Sequence, residues 1–203
     1  MNDIQLFPET VRIMQLRGPT AEELDYCKNL DRFKSNQNYL SKNTKVLDSK
    51  ELFNLKTILN SEINKYFKEV FLPRDNVSLR ITQSWCTYCD GNNSHHRHNH
   101  SNAAFSGVYY PESNSPNDRI RFHHPLQDLR TLKFHSDEFS MANSETWWLP
   151  AQTGTLIMFP AHLPHSVPAL PERTSNRISL PFNTFFAGTI GNEYDYDLLD
   201  LED

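Results

Sequence analysis

Cysteine, glycine and long apolar runs are all scarce in this chain. Of its 203 residues, only three are cysteines and six are glycines. An odd cysteine count favours a reducing compartment over a disulfide-stabilised secreted fold. No apolar run approaches the roughly 20 residues that span a bilayer. The first 17 residues mix Asp3, Glu9 and Arg12 with apolar ones, unlike a signal peptide. We therefore expect a cytoplasmic protein with no membrane partner.

Lysine and arginine are also fewer than aspartate and glutamate. The formal net charge is −5, which argues against non-specific nucleic-acid binding. Much of the excess lies in an acidic tail, residues 191–203, which we expect to be solvated and partly mobile. Its acidic residues are Glu193, Asp195, Asp197, Asp200, Glu202 and Asp203.

The length and composition predict one domain over residues 1–203. The hydrophobic share is 37% and the charged share 22%, which is typical of a globular protein. We divide the domain into N-terminal strands and helices (1–75), a β-rich core (76–190) and the acidic tail (191–203).

The N-terminal part begins with two short predicted strands, Ile4–Phe7 and Val11–Leu16. A helix follows, because Thr20 and Glu23 have the spacing of a capping box. We expect this helix to reach about Phe33 and to be followed by a loop over residues 35–45, which are rich in Asn, Ser and Lys.

A second, longer helix is predicted from its apolar period. Ser49 is placed to cap it, and it should end near Pro73. Apolar residues recur every three or four positions and form one stripe, which we expect to pack on the outside of a sheet. The stripe consists of Leu52, Leu55, Leu59, Ile63, Phe67 and Val70.

From residue 76 onward the hydrophobic period changes to two, which indicates strands. Clusters of Pro, Asn, Ser and Gly separate the strand-like runs. Many short strands with such turns predict a β-sandwich or barrel, flanked by the two helices. The predicted strands are 77–82, 104–110, 119–123, 146–149, 154–159, 165–168 and 176–186.

A dense histidine cluster points to a metal. His98 and His100 are two residues apart, so on a strand both rings face the same side. His165, at the start of a later strand, is the best third ligand, with His162 as a rival. A shifted register that uses His96 and His98 stays open. We interpret His123, His124 and His135 as structural or substrate-facing. Three neutral imidazoles suit iron with open positions or zinc with one water.

An arginine follows His165 by twelve residues. Arg177, Ser179, Pro181 and Asn183 share one face of their strand, opposite the apolar Ile178, Leu180 and Phe182. A buried guanidinium needs an anionic partner, and its planar fork suits a carboxylate. Tyr110 and Ser106 share a face of a neighbouring run and could point into the same cavity.

These residues resemble the Fe(II)- and 2-oxoglutarate-dependent dioxygenases, in particular a bacterial and phage branch related to prolyl hydroxylases. In that branch a His-x-His-x-Asn stretch leads into Ser-Gly-Val-Tyr-Tyr, which here is His98–Asn102 and then Ser106–Tyr110. A Phe-Pro turn, a histidine and an Arg-x-Ser complete the pattern at 159–160, His165 and 177–179. The resemblance implies a double-stranded β-helix (jelly-roll, cupin-like) core buttressed by the two N-terminal helices.

The resemblance also implies residue roles. His98 and His165 would bind iron. Arg177 would bind the distal carboxylate of 2-oxoglutarate, helped by Ser179 and Tyr110. Tyr88 would also reach the co-substrate. One departure concerns His100, which stands where most of the superfamily has an acidic ligand. Either the three histidines form the triad, or Asn102 or a carboxylate from another part of the chain completes it.

The implied reaction is hydroxylation of a substrate with release of succinate and CO₂, with ascorbate as a reductant in vitro. The sequence does not name the substrate, which could be a small molecule or a peptide, and it leaves a homodimer open. Two alternatives belong to other classes. One is a cupin-like metal enzyme that does not use 2-oxoglutarate, and the other is a catalytically silent jelly-roll binding module.

Overall fold

Two antiparallel sheets and two α-helices make up the protein in a computed structural model that describes residues 7–74, 76–90, 93–113, 116–126, 136–170 and 177–201. The prediction of a mainly β protein with two helices is thereby confirmed. The predicted strand Ile4–Phe7 lies outside these residues except for Phe7, which sits in a bend.

Helix α1 covers Ala21–Asn29 and begins at the predicted capping box. The Glu23 amide donates to Thr20 Oγ1 at 3.2 Å, and Glu23 Oε2 accepts from the Thr20 amide at 2.7 Å. The helix ends before Phe33, and a hairpin of β2 (Arg32–Lys34) and β3 (Tyr39–Ser41) occupies the segment predicted as helix end and loop.

Helix α2 covers Phe53–Phe71 and begins later than predicted. Two 3₁₀ turns, Val46–Asp48 and Lys50–Leu52, precede it. The Ser49 side chain does not cap it, because its hydroxyl bonds with the Tyr26 phenol instead. The residues of the predicted stripe are buried, together with Tyr66, except Val70, which is partly buried. They pack on one face of the larger sheet.

The larger sheet has the order β1-β10-β7-β12-β5-β3-β2, and β4 and β13 also pair with β12. Its central strand β12 spans Arg177–Ile190 and pairs with β7 through a register that sets Asn183 opposite Ser106. Its other strands are β1 (Arg12–Gln15), β4 (Val77–Ser84), β5 (Thr87–Cys89), β7 (Phe105–Glu112), β10 (Thr155–Pro160) and β13 (Leu199–Leu201).

The smaller sheet has the order β6-β11-β8-β9. Its strands are β6 (His95–His98), β8 (Arg119–His123), β9 (Thr146–Pro150) and β11 (His165–Val167). Strand β6 pairs with β11, so His98 lies directly opposite His165. The pairing joins two histidines that are 67 residues apart in the chain.

Two clusters of buried apolar side chains hold α2 and the two sheets together. One lies between α2 and the larger sheet and includes Tyr109, Leu180 and Phe182. The other includes Val108, Tyr110 and Phe122 and joins both sheets. Alternate residues of β7 therefore face opposite clusters, and alternate residues of β12 face the first one, as the period of two predicts. The side that carries Tyr110 and Arg177 is left to line a pocket.

The described part of the acidic tail is mostly exposed and contains two short regular elements. A 3₁₀ turn covers Glu193–Asp195, and β13 pairs with Gly188–Ile190 of β12. The alternation Leu199-Asp200-Leu201 is a short period-two pattern that the count of acidic residues obscures. Neither helix of the structure is long and apolar enough to cross a membrane.

Candidate metal centre and anion pocket

Three histidines converge where the two sheets meet. His98 ends β6, His165 opens β11, and His100 follows the strand, where its amide donates to the Ala161 carbonyl at 3.0 Å. One ring nitrogen from each lies within 4.8 Å of the others. Nitrogens this close together can bind one divalent cation.

The hydrogen bonds of the three rings decide which nitrogens are available. Nδ1 of His98 lies 2.8 Å from the His96 carbonyl oxygen, and Nδ1 of His165 lies 3.1 Å from that of Leu163. Nδ1 of His100 lies 2.5 Å from the Asn183 side-chain oxygen Oδ1. An oxygen acceptor requires a protonated Nδ1, so each ring keeps its Nε2 lone pair for a metal.

Burial keeps these rings neutral. It lowers the pKa of His165 to about 3 and that of His98 and His100 below the usual value. A neutral imidazole can bind a cation without first losing a proton. The donor set and its protonation state therefore fit a bound metal.

The alternatives for the triad do not reach the same point. His96 and Asn102 are exposed, and the exposed His162 bonds to Glu9 at 2.8 Å. His95 does line the pocket and stacks on His98 with ring centroids 4.1 Å apart, but it is not one of the three converging rings. His123 Nε2 bonds to Ser166 Oγ at 2.8 Å, and His135 lies outside the described residues. Of these candidates, only His98, His100 and His165 have ring nitrogens that converge within the part of the chain that the structure describes.

Arg177 lies in the same pocket and is 1% exposed. Its Nη1 donates to the Arg119 carbonyl at 3.2 Å and its Nη2 to the Tyr110 hydroxyl at 3.5 Å. Its Nε has no hydrogen-bond partner. Among the residues that the structure describes, no carboxylate forms an ion pair with it. A buried guanidinium in this state fits an acidic ligand, since burying an unpaired charge is costly.

Tyr110 and Ser179 complete the anion side of the pocket. Burial raises the pKa of Tyr110, so its hydroxyl stays protonated at neutral pH. Because that oxygen accepts a bond from Arg177, its own proton is available to a ligand. Ser179 follows Arg177 by two residues on β12 and also lines the pocket.

Tyr88, expected at the co-substrate, faces the other way. Its hydroxyl donates to the Cys27 carbonyl at 2.7 Å, and its ring lies under the Arg32 guanidinium at 3.7 Å. Successive residues of a strand alternate faces, so Thr87 takes the pocket side of β5 and Tyr88 the core side. The structure thus assigns Tyr88 to α1 packing.

The rest of the wall is mainly apolar. No acidic side chain lines the pocket among the described residues. Several lining residues were not predicted to face the site from the sequence. The missed wall residues are Trp85, Thr87, His95, Ile120, Phe159 and Val167.

The sequence matches one family model, described as "Putative 2OG-Fe(II) oxygenase", over residues 83–183. The match contains the three histidines, Arg177 and Tyr110. The chain belongs to the 2-oxoglutarate- and Fe(II)-dependent oxygenase superfamily, as its resemblance implied, and is an oxidoreductase that uses these two cofactors. No curated protein matches the chain.

Several solved structures share the fold. An oxidoreductase of the 2OG-Fe(II) oxygenase family from Burkholderia pseudomallei has a TM-score of 0.56 at 14% identity, with 85% of this chain and 83% of that one covered. HygX from Streptomyces hygroscopicus, with nickel, 2-oxoglutarate and hygromycin B bound, has a TM-score of 0.59 at 9% identity, with 86% and 82% covered. A prolyl-4-hydroxylase from Pseudomonas putida has a TM-score of 0.51 at 12% identity, with 84% and 91% covered.

Proposed function

We propose that this oxygenase hydroxylates its substrate through iron bound by His98, His100 and His165, with release of succinate and CO₂. The observation that carries the proposal is the buried Arg177, without an acidic partner among the described residues, in the pocket of three converging imidazoles. Iron with 2-oxoglutarate supplies the oxidising chemistry, and the protein supplies orientation and a dry cavity.

The residues of the pocket divide this work. Nε2 of each histidine binds the metal, while the hydrogen bond at Nδ1 holds the ring in place. Arg177 binds the distal carboxylate of 2-oxoglutarate, and the Tyr110 and Ser179 hydroxyls donate to it. Apolar walls such as Phe159 and Ile120 exclude water from the reacting centre.

The neutral triad changes the charge of the site. A carboxylate ligand would contribute one negative charge, which His100 does not. Three neutral imidazoles would therefore leave a bound metal more positive, which would favour the anionic co-substrate and alter the redox behaviour of the site.

The same proposal extends to the fold and the setting of the enzyme. We assign the two sheets to a double-stranded β-helix, and the chain to a single domain with parts 1–75, 76–190 and 191–203. The partner is a small-molecule or peptide substrate, in the cytoplasm, without membrane or non-specific nucleic-acid binding. A second copy of the chain remains a candidate partner.

Replacement of Arg177 tests the co-substrate assignment. In Arg177→Leu, loss of a charge-assisted pair of hydrogen bonds should weaken 2-oxoglutarate binding by roughly 30-fold or more, about 2–3 kcal/mol. Nickel binding should change little, because Arg177 does not contact the histidines. Calorimetric titration of 2-oxoglutarate into nickel-loaded protein gives the first quantity, and succinate release with iron and ascorbate gives the turnover.

Arg80→Leu is the matched control, since Arg80 is exposed on β4. It should bind 2-oxoglutarate like the wild type. If Arg177→Leu also behaves as wild type, the co-substrate assignment is wrong. Metal binding without any 2-oxoglutarate binding would indicate the cupin-like alternative, and binding of neither would indicate the silent module.

A further inference from the structure

The three histidines differ in what holds their Nδ1 atoms. His98 and His165 bond to backbone carbonyl oxygens. Because every residue has a backbone carbonyl, a substitution of the acceptor residue does not remove this group. His100 depends on a side chain, since its Nδ1 lies 2.5 Å from Asn183 Oδ1. The ring at the position of the missing acidic ligand is thus the one whose orientation a single mutation can alter.

Two further contacts fix the Asn183 amide, which is 6% exposed. Ser106 Oγ donates to its Oδ1 at 3.0 Å, and its Nδ2 donates to Gln83 Oε1 at 3.3 Å. The nitrogen is therefore turned toward Gln83 and the oxygen toward His100. Ser106 also lies 3.1 Å from His100 Nδ1, so the three side chains form one closed network.

We propose that Asn183 is a positioning residue for the metal centre, which holds His100 with Nδ1 protonated and Nε2 directed at the cation. The inference rests on the proposed function in that it takes His100 as a metal ligand. It adds that the Asn183 side chain orients the His100 imidazole as a ligand at the position where most of the superfamily has an acidic residue.

The chemistry of the amide also matters. An amide oxygen accepts the hydrogen bond from Nδ1–H without adding charge, whereas a carboxylate at the same place would make the imidazole a stronger donor to the metal. Asn183 therefore keeps the site at the neutral charge that its three ligands give it. Asn183→Asp should restore one negative charge next to the metal while it keeps the hydrogen bond.

The test compares Asn183→Leu and Asn183→Asp with the wild type. In Asn183→Leu, cobalt affinity should fall by about 10- to 100-fold, the range typical of a lost support for a metal ligand. In Asn183→Asp it should equal or exceed that of the wild type. Competition titrations with Co(II) measure the affinity, and the visible bands of the bound Co(II) report the ligand field.

Thr184→Val controls for damage to the strand. Thr184 is the next residue of β12, is fully buried, and donates to the Phe105 carbonyl at 2.9 Å. Its replacement should lower stability without a change in cobalt affinity. A loss of affinity in Thr184→Val equal to that in Asn183→Leu would overturn the assignment, because it would show a purely structural effect.

A second measurement does not require metal. Nitrogen-15 NMR of the metal-free protein should show His100 with Nδ1 protonated in the wild type and in Asn183→Asp, and a mixture of tautomers in Asn183→Leu. An unchanged His100 tautomer in Asn183→Leu would overturn the inference. Absence of cobalt binding by the wild type would instead overturn the proposed function, and the tautomer would still decide the role of Asn183.

Discussion

At the scale of single residues, position 107 requires glycine because the Phe182 ring lies against it. A Cβ there would stand 2.2 Å from Cζ of Phe182, whose side chain is fully buried. Gly107→Ala should therefore destabilise the protein by about 1–3 kcal/mol, as measured by urea unfolding. Gly18→Ala is the control, because its Cβ would meet only Thr153 Cγ2 at 3.9 Å. Equal stability of the two variants would contradict the argument.

The positions of single side chains were predictable from the sequence where spacing alone determines which face of a strand they occupy. The shared faces of β7 and β12 and the candidates His98, His100 and His165 follow from a period of two and from ligand chemistry. The position of Tyr88 could not be predicted in this way. The face of β5 that meets the pocket depends on its pairing with β12, where Tyr88 lies opposite Ile178. The sequence carries no local sign of that pairing, and the resemblance pointed to the wrong side.

At the scale of elements, the start of α1 is stabilised by Glu23. Burial alone would raise the pKa of this carboxyl, but hydrogen bonds from Arg17, at 2.5 and 2.7 Å, and from the Thr20 amide outweigh burial and lower it. Since folding favours the carboxylate, its contribution is complete above the ordinary pKa of 4.5 and is lost as the pH falls through the lowered value.

Glu23→Gln should therefore lose about 1 kcal/mol near neutral pH. The difference from the wild type should shrink as acid protonates Glu23, as measured by urea unfolding at several pH values. Glu22→Gln, one residue earlier and exposed, should be nearly neutral throughout. A Glu23→Gln deficit that stays constant from neutral pH to below the folded-state pKa would contradict the assignment.

The elements were predictable where caps and periods are strong, as at the capping box and the apolar stripe of α2. The first and last residues of these elements were less predictable. Ser49 has the residue type of a cap, but the Tyr26 hydroxyl takes its side chain and α2 starts at Phe53. Similarly, β3 forms within a polar segment because β5 offers it a partner, with Tyr39 opposite Tyr88. Contacts between distant segments decide both cases.

At the scale of the whole molecule, the proposed metal ligands join the two sheets. Strands β6 and β11 of the smaller sheet provide His98 and His165, while His100 is tied to β7 and β12 of the larger one through Ser106 and Asn183. A bound cation should therefore stabilise the native assembly. At a hundredfold excess over Kd, the gain is about 2.7 kcal/mol, or roughly 5–10 °C in Tm for a chain of this size.

Thermal unfolding with and without nickel measures this effect. His165→Ala should abolish the nickel-induced rise in Tm, and His162→Ala should retain it, because His162 is exposed and bonds to Glu9 instead. An undiminished rise in His165→Ala would show that nickel binds to surface histidines rather than to the proposed centre.

The strand β12 carries Arg177, the proposed anion ligand, and Asn183, which bonds to the proposed metal ligand His100, six residues apart on one side. Because successive strand residues point to opposite faces, an insertion or deletion of one residue between them would turn one of the two side chains toward the helix. The two side chains therefore share a face only while the number of residues between them stays odd. Only changes of two residues preserve the pattern, so homologues should vary in this strand by substitution while its length stays constant.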